Sequence, residues 1–534
     1  MEEIMQNGHQ RLERRWLRPW PIAWAAIICA AVIVIGSNSL SQFAAGLVHG
    51  GQRPASMALP SSPVASPPKA VCGDGKLLAG PASPPAGAVV VPVGDDSAVD
   101  FGEPGRTYWF TAGEHLLGSG EYTQIVPGSG ATFIGAPGAV LDGAHVNDYA
   151  FGGAASHVTI SDLTIENFGY WGDNQNEGVV NHDSSPYWTI DHSTIQYNAG
   201  AGAMLGSYNT LSYDCLTDNQ QYGFNAYSSA GVYDLTIKSS EISGNDTYNW
   251  EAKQNGCGCT GGGKFWDVDG AVITGNWIHD NHSVGLWADT DNSDFDVADN
   301  YISGNYSYGF IYEISYNAEI TGNTFVRNGI GAGPLNPDFP TSAIYISESG
   351  GDSRVPGRFS GKLEIANNSF VNNWGGVILW ENSNRFCNSP SNTSTGYCTL
   401  VDPNRVTLRS CDPVQIEKEP YFDDCRWKTQ HVSVDHNVFD FAPAAVGASC
   451  TAATACGFQG IFSEYGTYPS WSPYQGTIVE QHITFDQDNH FSDNVYNGPW
   501  EFMAYGQGTV IGWNSWRSAP YDQDRGSVAS GVTN

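Results

Sequence analysis

Two short segments carry acids in register. Gly285-Leu286-Trp287-Ala288-Asp289 and Gly309-Phe310-Ile311-Tyr312-Glu313 match position for position at an interval of 24 residues. Gly263-Lys264-Phe265-Trp266-Asp267 reads as a preceding copy, so Asp267, Asp289 and Glu313 form a predicted row of three carboxylates. If each segment is one rung of a stacked β structure, equivalent side chains lie about 4.8 Å apart. Carboxylates that close raise one another's pKa, which yields a protonated acid beside an ionised base or nucleophile. Cleavage of a glycosidic bond needs such a pair. Trp250, Trp266, Trp287, Tyr308 and Tyr312 lie around the row and are the candidate faces for stacking sugar rings.

Other chemistries would draw on other residues. A lyase or epimerase abstracts a proton next to a carboxylate and needs a base with a charge neutraliser. Lys264, a rare base amid acids and aromatics, is the candidate for that work, with Lys253, His279 and His282 on the same coils. The histidines sit in a turn and Lys253 in a glycine-rich loop, where solvated or structural roles are the plainer reading. His182-Asp183, just before Ser184-Ser185-Pro186, also reads first as a turn. No Gly-x-Ser-x-Gly elbow supports serine-hydrolase chemistry. Clustered carboxylate oxygens suit Ca²⁺, so a calcium site made of the same acids is the rival to catalysis. Cys257-Gly258-Cys259 lacks the second pair that zinc requires, and no metal ligand is assigned. The bland alternative also stands: aspartates at coil corners cap backbone donors, and aromatic ladders pack.

The elements that must position these residues show themselves as a repeat. After Val158, an apolar residue in a β-prone run is followed three residues later by Asn, at Ile195/Asn198, Leu216/Asn219, Ile242/Asn245, Ile278/Asn281, Ile302/Asn305, Phe325/Asn328 and Phe370/Asn373. The intervals between these asparagines are 21, 26, 36, 24, 23 and 45 residues, so four coils are regular and two carry inserted loops. A second series, Asn276, Asn300, Asn323 and Asn368, precedes the apolar residue by two. In a solenoid each turn adds one strand to each sheet and the apolar residues stack into a continuous core. Asparagine is expected at the corners because it tolerates a left-handed bend and can hydrogen-bond to its copy in the next coil. The leucine pattern of leucine-rich repeats is missing, and a propeller needs longer repeats throughout. The expected fold is all-β, a right-handed parallel β-helix over residues 89–530, with an N-terminal transmembrane helix.

Through Gly275-Asn276-Trp277-Ile278-His279-Asp280-Asn281 and the ending Gly512-Trp513-Asn514-Ser515-Trp516-Arg517 the chain resembles right-handed β-helix repeat proteins of the pectate-lyase-like superfamily, in particular surface proteins of the actinobacterial type. The resemblance implies fold more than activity, because the superfamily holds polysaccharide lyases, glycoside hydrolases, epimerases and non-catalytic adhesins.

Ahead of the repeat, residues 1–19 form a cytoplasmic head with Arg11, Arg14, Arg15 and Arg18, and residues 20–38 a signal-anchor around the apolar run Ile22 to Gly36. Residues 39–88 form a linker, with 8 prolines between Gly51 and Ala88 that leave little able to form a core. Secretion after cleavage of a signal peptide is the alternative to anchoring. Of the 11 cysteines, Cys29 lies in the apolar run and the rest are even in number, as disulfides in an oxidising compartment require. Cys387 with Cys398, Cys411 with Cys425, and Cys450 with Cys456 are the candidates, although spacing does not fix connectivity. Acids outnumber bases 55 to 23, for a net charge of −32, which repels nucleic acid and other polyanions. The expected partner is a polysaccharide or glycan. The function expected is cleavage or modification of a polysaccharide, by a hydrolase or a lyase, in a groove on the β-helix; the alternative is a non-catalytic, adhesin-like glycan binder.

Overall fold

The computed structural model describes residues 66–534 apart from 173–177, 254–257, 259, 338, 387–388, 390–425, 465–468, 473 and 507–508. By its contacts the chain divides into two units, residues 1–54 with 251–258 and residues 55–250 with 259–534. Of the first, the described residues are Glu251 to Lys253 and Gly258; the second holds the β-helix.

Short runs such as Thr189–Asp191 and Thr194–Gln196 form strands whose central residue is buried and whose flanks are half-exposed. Alternating side chains and β-branched flanks suit that pleated, half-buried setting. Strands recur in the cyclic order A, B, C, as in Ser293–Ala298, Tyr301–Ser303 and Phe310–Glu313. Each pairs in parallel with its copy one coil on: Asp296 with Glu319, Ile302 with Phe325, Glu313 with Ser347. Among the described residues sheets A, B and C have 13, 14 and 11 strands, with an antiparallel pair closing sheet C where Glu501–Gly506 meets Val510–Ile511. The predicted apolar column, from Ile195 through Ile302 to Phe370, is fully buried in the core between the sheets.

Both asparagine series form ladders. Asn281 Nδ2 donates to Asn305 Oδ1 (2.9 Å) and to Ile242 O (3.1 Å), while its Oδ1 accepts Asn245 Nδ2 (3.0 Å) and Asn245 N–H (3.1 Å). The ladder from Asn198 to Asn373 stands at the B–C corner. The second stands at the A–B corner and runs from Asn276 beyond Asn368 to Asn437 and Asn494. One expectation is corrected. The left-handed residue is the one before each ladder asparagine, as at Tyr197, Asp218, Asp280 and Arg327, so asparagine recurs for its hydrogen bonds and not for its backbone tolerance. Asn281→Ala removes the four hydrogen bonds of that side chain, and a loss of roughly 3 kcal/mol in urea unfolding is expected; a loss under about 1 kcal/mol would show that the ladder is ornamental.

Beside the B–C ladder, Gly202, Gly223, Gly262, Gly285 and Gly309 stack, and a Cβ on any of them would lie 2.5–2.8 Å from a carbonyl oxygen of the next coil. This column sets how closely the coils of sheet C approach.

Residues 66–88, read from the sequence as the end of the linker, run against the coils. Cys72 is bonded to Cys215, Glu241 accepts the N–H groups of Val71 (2.7 Å) and Cys72 (2.9 Å), and Trp109 Nε1 donates to Pro81 O (3.1 Å). The Cys72–Cys215 bond spans 143 residues, which is why spacing did not suggest it. Closing so long a loop restricts the unfolded chain, and Cys72→Ser with Cys215→Ser should lower stability by about 5 kcal/mol if that entropy is realised in full. Equal midpoints of reduced and oxidised protein in guanidinium would refute this. Cys450 and Cys456 are bonded as expected, while Cys387, Cys398, Cys411 and Cys425 lie outside the described residues. The predicted anchor at residues 20–38 also lies outside them; among the described residues no helix is long and apolar enough to cross a membrane.

Candidate active site

Sheet C carries the acids on its outer face. Strands Leu286–Asp289 and Phe310–Glu313 pair so that Asp289 lies opposite Glu313 and Trp287 opposite Ile311. Ala288 and Tyr312 alternate inward and are fully buried. Asp289 and Glu313 therefore stand side by side on adjacent coils.

The third member of the predicted row is displaced. Gly263 pairs with Leu286 and Phe265 with Ala288, so Trp266, not Asp267, falls in line with Asp289. Three consecutive glycines, Gly261 to Gly263, offered no side chain to fix the register; the glycine column chooses Gly262 to lie beneath Gly285. Asp267 sits one residue on, at a left-handed corner (φ 55°) that Thr290, Ile314 and Glu348 occupy in other coils. The same shift brings Lys264 opposite Trp287, and its Nζ reaches Asp289 Oδ2 at 2.9 Å. The ammonium also lies 4.2 Å from the Trp287 ring centroid and 5.7 Å from that of Trp266.

Glu313 has a different setting. Its side chain is 16% exposed, accepts a 3.3 Å hydrogen bond from Trp287 Nε1, and has Arg385 Nη1 at 3.8 Å. Ile311, Tyr345 and Trp380 form an apolar cluster on that side, with Trp287 and Tyr308 packed against it. Burial, followed by the charge of Asp289, pushes the Glu313 carboxyl up to about 7 against the opposing pull of Arg385 and Lys264. Sequence reasoning missed Asp291, two residues past Asp289. Its Oδ1 is buried without a hydrogen-bond partner among the described residues, and burial, with Asp267 and Asp289 nearby, raises it to about 7. The spacing Asp289-Thr290-Asp291 was a readable signal. Glu348 and Arg385 were also missed: Glu348 stands at the coil corner one residue past the Ser347 that pairs with Glu313, and Arg385 lies beyond the end of strand Val377–Trp380.

Of the predicted aromatic faces, Trp266, Trp287 and Tyr308 are half-exposed. Tyr312 is not among them: it points into the core, where its hydroxyl donates to Tyr316 O at 2.8 Å. Trp250 is 6% exposed and packs on Tyr248, so it offers no open ring. His279 belongs to sheet B, where Glu241 (3.0 Å) and Asp280 (2.8 Å) hold its ring; His282 is exposed in the B–C turn and Lys253 ends the short helix Trp250–Lys253. Among the described residues no group of three or more His, Cys, Asp or Glu is arranged to hold a metal ion. Asp289 and Glu313 each have a cationic side chain as neighbour, Lys264 at 2.9 Å and Arg385 at 3.8 Å.

Residues 177–357 match a family model described as a right handed beta helix region, and the chain is a right-handed parallel β-helix. No curated protein sequence matches it. Among solved structures, the catalytic unit of a GH87 α-1,3-glucanase from Streptomyces thermodiastaticus is similar at 13% identity, over 85% of this chain and 71% of that one, with a TM-score of 0.48. The A-module of the mannuronan C-5 epimerase AlgE4 from Azotobacter vinelandii is similar at 14% identity, over 67% and 94% of the two chains, with a TM-score of 0.40. The surface protein and adhesin PfbA of Streptococcus pneumoniae is similar at 11% identity, over 51% and 86%, with a TM-score of 0.31. Identities this low speak of chain winding and not of chemistry.

Proposed function

We propose that the protein hydrolyses glycosidic bonds of a neutral extracytoplasmic glycan on the outer face of sheet C, with Asp289 and Glu313 as the reacting pair. The observation that carries this reading is their inequality: Asp289 is ion-paired with Lys264 at 2.9 Å, while Glu313 is pushed up to about 7 in a largely apolar setting. An anion next to a neutral acid is the division of roles that glycoside cleavage needs. Adjacent strands, about 4.8 Å apart, suit the close spacing of a retaining pair better than the wider one that seats a water between the acids. Asp289 is then the nucleophile, and Glu313 protonates the leaving oxygen and afterwards activates water. NMR of the first-formed anomer tests the stereochemistry.

The neutral substrate follows from charge. Lys264 and Arg385, the cations beside the acids, face carboxylates, and the net charge of −32 opposes a polyanion. Elimination and epimerisation lose support for the same reason, because an ammonium engaged by Asp289 and two indoles is a poor base. The half-exposed Trp266 and Trp287 also favour a second reading, glycan binding without cleavage. Two disulfides, Cys72–Cys215 and Cys450–Cys456, support an oxidising compartment, and the apolar run from Ile22 to Gly36 supports an anchored chain.

The test is incubation with a panel of α-glucans, β-glucans, xylan, mannan and polyuronides. New reducing ends on a neutral glycan support hydrolysis, an unsaturated chromophore on a polyuronide overturns it in favour of elimination, and retention on a glycan gel without new ends favours binding alone.

A further inference from the structure

The acid pair rests on a buried platform of charges. Arg385, in the stretch after strand Val377–Trp380, has a side chain 4% exposed, with Nη1 2.5 Å from Glu348 Oε2 and 3.8 Å from Glu313 Oε1. Glu348 is fully buried; its Oε1 accepts Asn382 N–H (3.2 Å) and its own N–H donates to Thr429 Oγ1 (2.9 Å). One coil on, Glu381 holds the equivalent corner, gripped by Arg426, by Thr429 N–H (2.9 Å) and by Gln487 Nε2 (2.6 Å). Buried ion pairs bring little net stability, because desolvating both charges offsets their attraction. Two stacked pairs next to an acidic side chain are better suited to fixing where charge sits.

We propose that Arg385 is a positioning residue for Glu313, and that Glu348 sets how strongly the guanidinium acts on it. The proposal rests on the reading of Glu313 as the acid. The charged and titratable groups that face Glu313 are Asp289 and Lys264 from the preceding coils, Tyr345 and Glu348 from the following strand and its corner, and Arg385 from the next coil. Asp289 and Glu348 favour its protonated form, and Arg385 and Lys264 favour its anion. Without the Glu348 charge, Arg385 would have Glu313 as its carboxylate partner, and Glu313 would release its proton at lower pH.

Two variants and two readouts test this. Glu348→Gln should move the titration of Glu313 down by about one unit, a tenfold change in proton affinity. The double variant Arg385→Gln with Glu348→Gln removes both charges, leaves neither one buried alone, and should move it up, because the pull of Arg385 on Glu313 exceeds the push of Glu348. The first readout is the pH dependence of urea unfolding, each protein measured with and without Glu313→Gln, which reports proton uptake by Glu313 whether or not any glycan is cleaved. The second is the alkaline limb of kcat on the most reactive glycan of the panel. Opposite shifts in the two variants support the proposal. A uniform loss of stability with the titration unmoved overturns it and leaves Arg385 a packing residue. If Glu348→Gln fails to fold, an unmoved titration in the double variant overturns it equally. Absence of cleavage by the native protein counts against the hydrolase reading alone, since the unfolding titration decides the role of Arg385 without it.

Discussion

Glu313→Gln should lower kcat on the cleaved glycan by 10²- to 10⁴-fold, on the order of what a positioned general acid contributes, with glycan binding retained. The substitution keeps the size and planarity of the side chain and removes the proton it has to give. The surroundings explain why this proton is available near neutrality: Ile311, Tyr345 and Trp380 exclude water, and Asp289 stands opposite on the neighbouring strand. The native pH profile should fall as Glu313 ionises at about 7, and what activity is left in the variant should lack that limb. Asp289→Asn should be comparably damaging, but through loss of the anion that Lys264 orients. Retention of more than about a tenth of native activity by Glu313→Gln, against the expected general-acid contribution, would remove it from the reaction.

The same carboxyl should make the protein less stable as pH rises. Glu313 titrates at about 7 in the fold against 4.5 for the ordinary group, and Asp291 at about 7 against 3.8. Between those limits the folded chain keeps protons that the unfolded chain has released, so stability falls with increasing pH across the window. For Glu313 the loss is on the order of 3 kcal/mol and is complete above the folded value. Glu313→Gln and Asp291→Asn should accordingly match the native protein at about pH 4 and exceed it at about pH 8 in urea unfolding. A variant less stable than the native protein at the higher pH would contradict the strained, buried carboxyl described here. Stability gained by removing a group whose removal stops cleavage is the trade-off expected of a site built against its own burial preferences.

How much of this could be read in advance differs residue by residue. The apolar-x-x-Asn repeat exposed the winding because a solenoid repeats its local rules in every coil: Ile278 and Ile302 each pair with large apolar residues above and below, and Asn281 and Asn305 each bond to an asparagine on either side. The partnership of Asp289 with Glu313 was legible for the same reason, since both follow a glycine of the same column by four residues. Lys264 and Asp267 were misplaced by one position, because three glycines in a row carry no pattern. One residue is the smallest error available, and in a strand it turns a side chain to the other face. Tyr312 was misjudged by the same period, being an inward residue next to an outward one.

The winding, the ladders and the carboxyl pair are thus properties of the sequence alone, encoded by periodicity that neighbouring coils reinforce. What only the tertiary structure decided is the charge around that pair. Lys264 reaches Asp289 through a register set by glycines, Arg385 arrives from the stretch after strand Val377–Trp380, Glu348 comes from the coil corner after Ser347, and Asp291 is raised by burial, which exists only once the coils have stacked. Contacts between adjacent coils at equal spacing leave a repeating trace in the chain, whereas contacts made by insertions leave none. The pair of acids was written in the repeat, and the inequality that lets them divide their roles came from neighbours that the repeat's spacing does not mark.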